Sequence, residues 1–126
     1  MKGIVVLATL VALVAAGAAI AADTPAATAR ICTSVKDRAP VGEADTFPPT
    51  VGELYCFSEV TGGSGTVVHA WFHGDKEVFK IELPVKAARW RTWSAKKILP
   101  TMTGEWRVEV RDGAGAVLAG AKFSVK

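Results

Sequence analysis

The chain is poor in the residues that build active sites and metal centres. Its 126 residues include only two histidines and two cysteines. His69 and His73 lie four apart, a separation of roughly 13 Å on a strand, too far for both imidazoles to ligate one metal at about 2.0 Å. Both cysteines are expected in a disulfide, so neither a metal nor any other cofactor is expected. No nucleophile-elbow motif surrounds a serine, and no paired carboxylates frame a site. Ser94 and His69 fall on different expected strands, Glu105 is isolated before Trp106, and Glu109 reads as an ordinary solvent charge. Catalysis needs a nucleophile, a base and a group that orients the base, and the chain is not expected to be an enzyme. Gly62–Gly65 precedes no helix and is not read as a phosphate loop. Beyond the first residues no stretch shows a helical period of useful length.

Charge of one sign is also scarce. The formal net charge is +3, and without Lys2 it is 14 basic against 12 acidic residues, or +2. That excess is too small to imply nucleic acid as a partner.

What the chain does have begins with an aliphatic start. Lys2 is followed by an apolar run from Ile4 to Ala16, which turns small at Gly17 to Ala22. Charged start, apolar run and small-residue exit read as a signal peptide over residues 1–22, cut after Ala21 or Ala22. No cysteine stands directly after the cut, which argues against a lipid anchor. The alternative is an uncut membrane anchor, since about twenty apolar residues can just span a bilayer. The expected location is periplasmic or secreted, with no membrane contact after cleavage.

Removal of 22 residues from 126 leaves 104, enough for one domain with a modest core. Residues 23–29 (DTPAATA) are expected to be a disordered leader, and residues 30–126 the folded domain. Cys32 and Cys56, an even count in an oxidising compartment, are expected to form one bridge; two free buried thiols are the alternative.

Within the domain the apolar period is two. Strands are expected over 31–36, 54–60, 66–72, 77–83, 90–98, 105–111 and 117–125, divided by Gly- and Pro-bearing turns. Asp112-Gly113-Ala114-Gly115 is a hairpin turn rich in residues that tolerate positive φ. Trp106, Val108 and Val110 form an apolar row opposite Arg107, Glu109 and Arg111, so Trp106 is expected at the centre of the core. The fold class that follows is all-β, an immunoglobulin-like antiparallel β-sandwich of about seven strands behind a signal peptide.

The landmarks Cys32, Val35-Lys36-Asp37-Arg38, Pro40-Val41-Gly42, Phe47-Pro48, Leu54-Tyr55-Cys56-Phe57, His69-x-Trp71, Arg89-Trp90-Arg91-Thr92-Trp93-Ser94, Lys96, Pro100, Thr103-Gly104-Glu105-Trp106 and Phe123-x-Val125 give a pattern that resembles the bacterial domain-of-unknown-function family 2914. The resemblance runs over nearly all of the mature domain, and its most specific part is the tryptophan-rich run. It implies a compact β domain of exported or membrane-associated bacterial proteins, and it implies no activity, ligand or catalytic residue.

The one candidate binding surface is Lys86 to Lys97, which holds Lys86, Arg89, Arg91, Lys96 and Lys97, two tryptophans and no acid. Arginine pairs with carboxylates and phosphates, and indole offers a flat face to sugars or cations. In a regular strand Trp90 and Trp93 point to opposite faces, so at most one is a core residue. Arg89, Trp90, Arg91, Trp93 and Lys96 are therefore the expected contact residues of a non-catalytic exported binding module, its ligand an anionic envelope glycan or an acidic partner. The plainer alternatives are an edge strand kept soluble by outward charges, and a structural or assembly domain that contacts another envelope protein.

Overall fold

The structure, a computed structural model, describes residues 24–63 and 65–126. The expected signal peptide, the membrane-anchor alternative and Asp23 lie outside the described residues, among which no helix is long and apolar enough to cross a membrane. The described chain forms strands β1 (Ala26–Ala27), β2 (Arg30–Cys32), β3 (Ser34–Lys36), β4 (Ala39–Val41), β5 (Thr46–Phe47), β6 (Gly52–Thr61), β7 (Gly65–His73), β8 (Lys76–Val85), β9 (Arg89–Ile98), β10 (Gly104–Asp112) and β11 (Val117–Val125).

The six long strands, β6 to β11, are the alternating segments read from the sequence, each lengthened at one or both ends except β11. They divide between two sheets. In one, β6 is flanked by β9 on one edge and by β1 and β2 on the other; in the other the order is β5-β11-β10-β7-β8. β6 pairs with β9 and β7 with β10, the skipping connections of an immunoglobulin-like sandwich. All pairings are antiparallel but one, the short parallel contact of β5 with the end of β11. Pro84 does not end β8, which runs on to Val85; this is an edge strand, where a missing N–H removes no ladder bond.

Alternation fills the space between the sheets. Ile31, Leu54, Cys56 and Ile98 from one sheet meet Trp71, Trp106, Val108, Phe123 and Val125 from the other, with Phe47 of β5 among them. Trp71 meets Phe123 edge-on at 6.2 Å, while Trp106 stacks with it at 5.8 Å. Trp106 is 3% exposed, and its Nε1 donates to the Met102 carbonyl at 3.0 Å, which satisfies the indole's one polar atom. A second cluster, Val60, Val67, Val85 and Val110, closes one end of the core.

Three expectations at the N-terminal side are corrected. The disordered leader is in part a strand: Ala26 and Ala27 pair with Thr61 and Val60, Thr28 N–H donates to the Glu59 carbonyl, and Glu59 N–H donates to Thr28 Oγ1. The strand expected over 31–36 breaks at Thr33, whose N–H and hydroxyl both donate to the Val41 carbonyl. Beyond it β3 turns back on β4 through Asp37 and Arg38, which have φ of 51° and 60°.

The third correction is the bridge, since Cys32 and Cys56 are free thiols. The β2–β6 register sets Ile31 opposite Cys56 and Cys32 opposite Tyr55. Directly opposed residues share a face and neighbours alternate, so Cys56 points into the core while Cys32 points to the other face of the sheet. Burial pushes the Cys56 thiol up to about 12 and raises that of Cys32 as well; both are protonated at neutral pH.

Candidate functional site

The β3–β4 hairpin positions the site. β2 lies on the opposite edge of β6 from β9, yet the hairpin that follows β2 touches β9: Arg91 Nη1 donates to the Arg38 carbonyl at 3.3 Å. The hairpin therefore crosses the outer face of β6. That crossing accounts for two buried residues whose parity points them outward, Cys32 and Phe57.

β9 is regular, pairing with β6 without a register shift from Arg89 to Ile98. Parity consequently holds along it. Trp90, Thr92, Ser94 and Ile98 turn inward, and Trp90 packs half-buried against the Val60–Val67–Val85–Val110 cluster. Trp93 turns outward and is 37% exposed. One ring face of Trp93 lies on Phe57, with centroids 6.2 Å apart and planes 12° from parallel, so the rest of the indole meets solvent from a rigid backing.

Arg38 reaches further. Its guanidinium stands 5.5 Å from the Trp90 ring centroid, within cation–π range. Because its backbone is on the outer face and Trp90 belongs to the inner one, the side chain passes around the free edge of β9. Arg38, Pro84, Lys86, Trp90, Arg91, Thr92 and Trp93 together line a cleft of about 230 Å³ between the edges of the two sheets. None of the lining residues is acidic. Among the described residues no ion pair includes Arg38, Lys86 or Arg91. Acids flank the cleft at Asp37, beside Arg38 in the turn, at Glu59, opposite Arg91 in the ladder and ion-paired with Arg89, and at Glu82, two residues before Pro84 on β8. The hydrogen bond from Arg89, followed by the field of the surrounding arginines, holds the Glu59 carboxyl below its ordinary range.

Of the five contact residues read from the sequence, Trp90, Arg91 and Trp93 come together in this cleft. Arg89 is spent on Glu59. Lys96 lies toward the other end of β9, opposite Leu54, and its Nζ donates to the Lys97 carbonyl. Sequence reasoning passed over Arg38 and Phe57 as site residues. Arg38 is brought in from far along the chain by a turn, and nothing local to Arg89–Lys97 announces it.

His69 and Ser94, weighed above as remote from one another, are in hydrogen-bond contact. His69 Nδ1 is 2.7 Å from Ser94 Oγ, and Nε2 is 2.8 Å from Ser58 Oγ; Trp71 Nε1 donates to Ser94 Oγ at 3.1 Å. The group ties the two sheets together in the core, with His69 fully buried. Desolvation lowers the imidazole to about 4, so it is neutral and uses one nitrogen to donate and the other to accept. Both ring nitrogens are taken by serine hydroxyls, which leaves none for an orienting carboxylate. His73 instead stacks on Trp106, 4.4 Å between ring centroids, and its Nε2 donates to the Thr103 carbonyl.

These features define an all-β sandwich domain with one basic, tryptophan-bearing cleft at a sheet edge. Residues 64–125 match the model of the family described as Protein of unknown function (DUF2914). The match spans β7 to β11 and the Arg89–Ser94 run; the N-terminal landmarks, from Cys32 to Phe57, precede it. No curated protein matches the chain.

Proposed function

We propose that the domain is a non-catalytic binding module of the bacterial envelope or exterior that takes an acidic ligand at the β8–β9 edge cleft. The observation that carries this reading is the exposed indole of Trp93, backed by Phe57, beside three cations that have no ion-pair partner among the described residues. A solvent-facing indole beside arginines joins two of the residue types most enriched at recognition surfaces. The non-catalytic part is supported by the His69–Ser94 contact, which is sealed in the core and lacks a carboxylate.

The test is retention of the protein on immobilised polygalacturonate, polyglutamate and polyphosphate, with neutral dextran as control. Retention on at least one anionic matrix, weakened by salt and by the Lys86→Ala with Arg91→Ala double change, is expected, since exposed charges are screened over about 8 Å at physiological ionic strength. If no anionic matrix holds the protein, the reading fails. An assembly domain would then be preferred, and one observation favours it: β5 pairs with only Ser124 and Val125 on the outer edge of β11, so the Ala- and Gly-rich length before them has no strand paired to it on that side among the described residues.

A further inference from the structure

Resting on the acidic-ligand reading, we infer that the cleft recognises a hexuronate unit, a pyranose ring bearing a carboxylate, with Trp93 as the stacking platform and Arg38 with Arg91 as the carboxylate clamp.

The first ground is Arg38 itself. Asp37 and Arg38 both have positive φ, the combination of a two-residue hairpin turn usually made by Asn-Gly or Gly-Gly. A non-glycine residue in that region carries strain of about 1 kcal/mol or more. Here the strain coincides with the residue that the hairpin holds across the edge of β9 and over Trp90. Arginine is suited to this place because its planar fork can meet both oxygens of one carboxylate, which an ammonium cannot do. Arg91 lines the same cleft, tethered through Nη1 to the Arg38 carbonyl, and among the described residues its fork makes no other hydrogen bond.

The second ground selects a sugar over a peptide. An acidic peptide that bound this edge would add a strand along β9, because that is where unpaired backbone groups lie. Arg38, held over Trp90 and bound by Arg91 at the start of that edge, obstructs such a strand at the cleft itself. What remains open is a flat indole next to cations. The C–H face of a pyranose covers an aromatic ring, and a ring carboxylate reaches the flanking guanidiniums.

The experiment measures intrinsic tryptophan fluorescence and affinity for polygalacturonate, its full methyl ester and polyglutamate. The proteins compared are the wild type, Arg38→Lys and Trp93→Ala, each first checked for a native circular dichroism spectrum and melting curve. Polygalacturonate is expected to bind with a fluorescence change, and the methyl ester, which keeps the ring and loses the charge, is expected not to bind. Arg38→Lys preserves charge and fold and is expected to weaken polygalacturonate binding about tenfold, the scale of one charge-assisted hydrogen bond. Trp93→Ala is expected to weaken it about fivefold or more. Should polyglutamate bind as tightly as polygalacturonate, or Arg38→Lys bind like the wild type, the hexuronate assignment is overturned while the acidic-ligand reading stands. Should neither anionic polymer bind, the assignment is overturned; failure of polyphosphate to be retained as well takes the broader reading with it. If Trp93→Ala disturbs the fold, Arg38→Lys and the methyl ester still decide the outcome.

Discussion

Acid should loosen this domain through one buried imidazole. His69 is fully buried between the sheets, and desolvation brings it from 6.5 down to about 4. Between those values the unfolded chain binds a proton that the folded chain refuses, so stability is complete above pH 6.5 and falls as the pH drops toward 4. Each pH unit in that window is worth about 1.4 kcal/mol for one proton, and the whole window about 3 kcal/mol. Against a typical total of roughly 5–15 kcal/mol this is a large loss. Glu59 and Glu109, both lowered by arginine hydrogen bonds, contribute stability that disappears only below the ordinary carboxylate range, so the two effects separate on the pH axis. Urea titrations at pH 7.5, 6.5, 5.5 and 4.5, repeated on His69→Gln, give the measurement. The variant should be less stable at pH 7.5, by about 1–3 kcal/mol for a disrupted buried hydrogen-bond group. Its pH slope between 6.5 and 4.5 should be shallower than that of the wild type by about one proton. Equal slopes in the two proteins, or a His69 imidazole that titrates near 6.5 by NMR, would refute the assignment of acid sensitivity to this residue.

Other perturbations test the fold piece by piece. Trp106→Ala removes an indole stacked between His73 and Phe123 and should cost about 3–5 kcal/mol in chemical denaturation. Native protein should resist iodoacetamide, and unfolding without reductant should expose two reactive thiols by mass, because Cys32 and Cys56 point to opposite faces of one sheet; a mass showing none would mean a bridge. At Gly62, φ is +71° and an added Cβ would lie 2.6 Å from the Thr24 carbonyl oxygen. Gly62→Ala should therefore cost about 1–3 kcal/mol and speed amide exchange at Ala27 and Thr28, where the leader meets β6.

The long strands were legible because two signals agree along them: side chains alternate, and Gly or Pro marks the ends. The same logic put Trp90 and Trp93 on opposite faces, since parity needs only an unbroken ladder and β9 has one; which of the two faces the core is settled by the pairing with β6. The misreadings arose where the outcome depends on pairing between distant segments. Counting cysteines says nothing about register, and a single step of register separates Cys32 from Cys56. The break at Thr33 has no local mark either, because the turn it serves uses Asp37 and Arg38 where glycine or asparagine would have signalled it. Likewise Ser94 and His69 looked unrelated until β9 and β7 were laid face to face.

Those illegible features have one structural origin. The β3–β4 hairpin leaves the edge of β6, crosses its outer face and ends at β9, and it buries Cys32 and Phe57 as it does so. Phe57, held in place, backs Trp93; the strained turn at the hairpin's tip delivers Arg38 to Trp90 and Arg91. A hairpin needed only to cover apolar surface would be served as well by glycine at its tip, which adopts positive φ without the cost borne by Arg38. Local rules are broken where something other than stability is served, and here the break falls on the one guanidinium that completes the cleft. Arg38→Gly divides the two roles. It should relieve the turn and leave the melting temperature unchanged or higher, while anionic ligands lose affinity; a variant that instead unfolds would make the arginine a structural pin between the hairpin and β9.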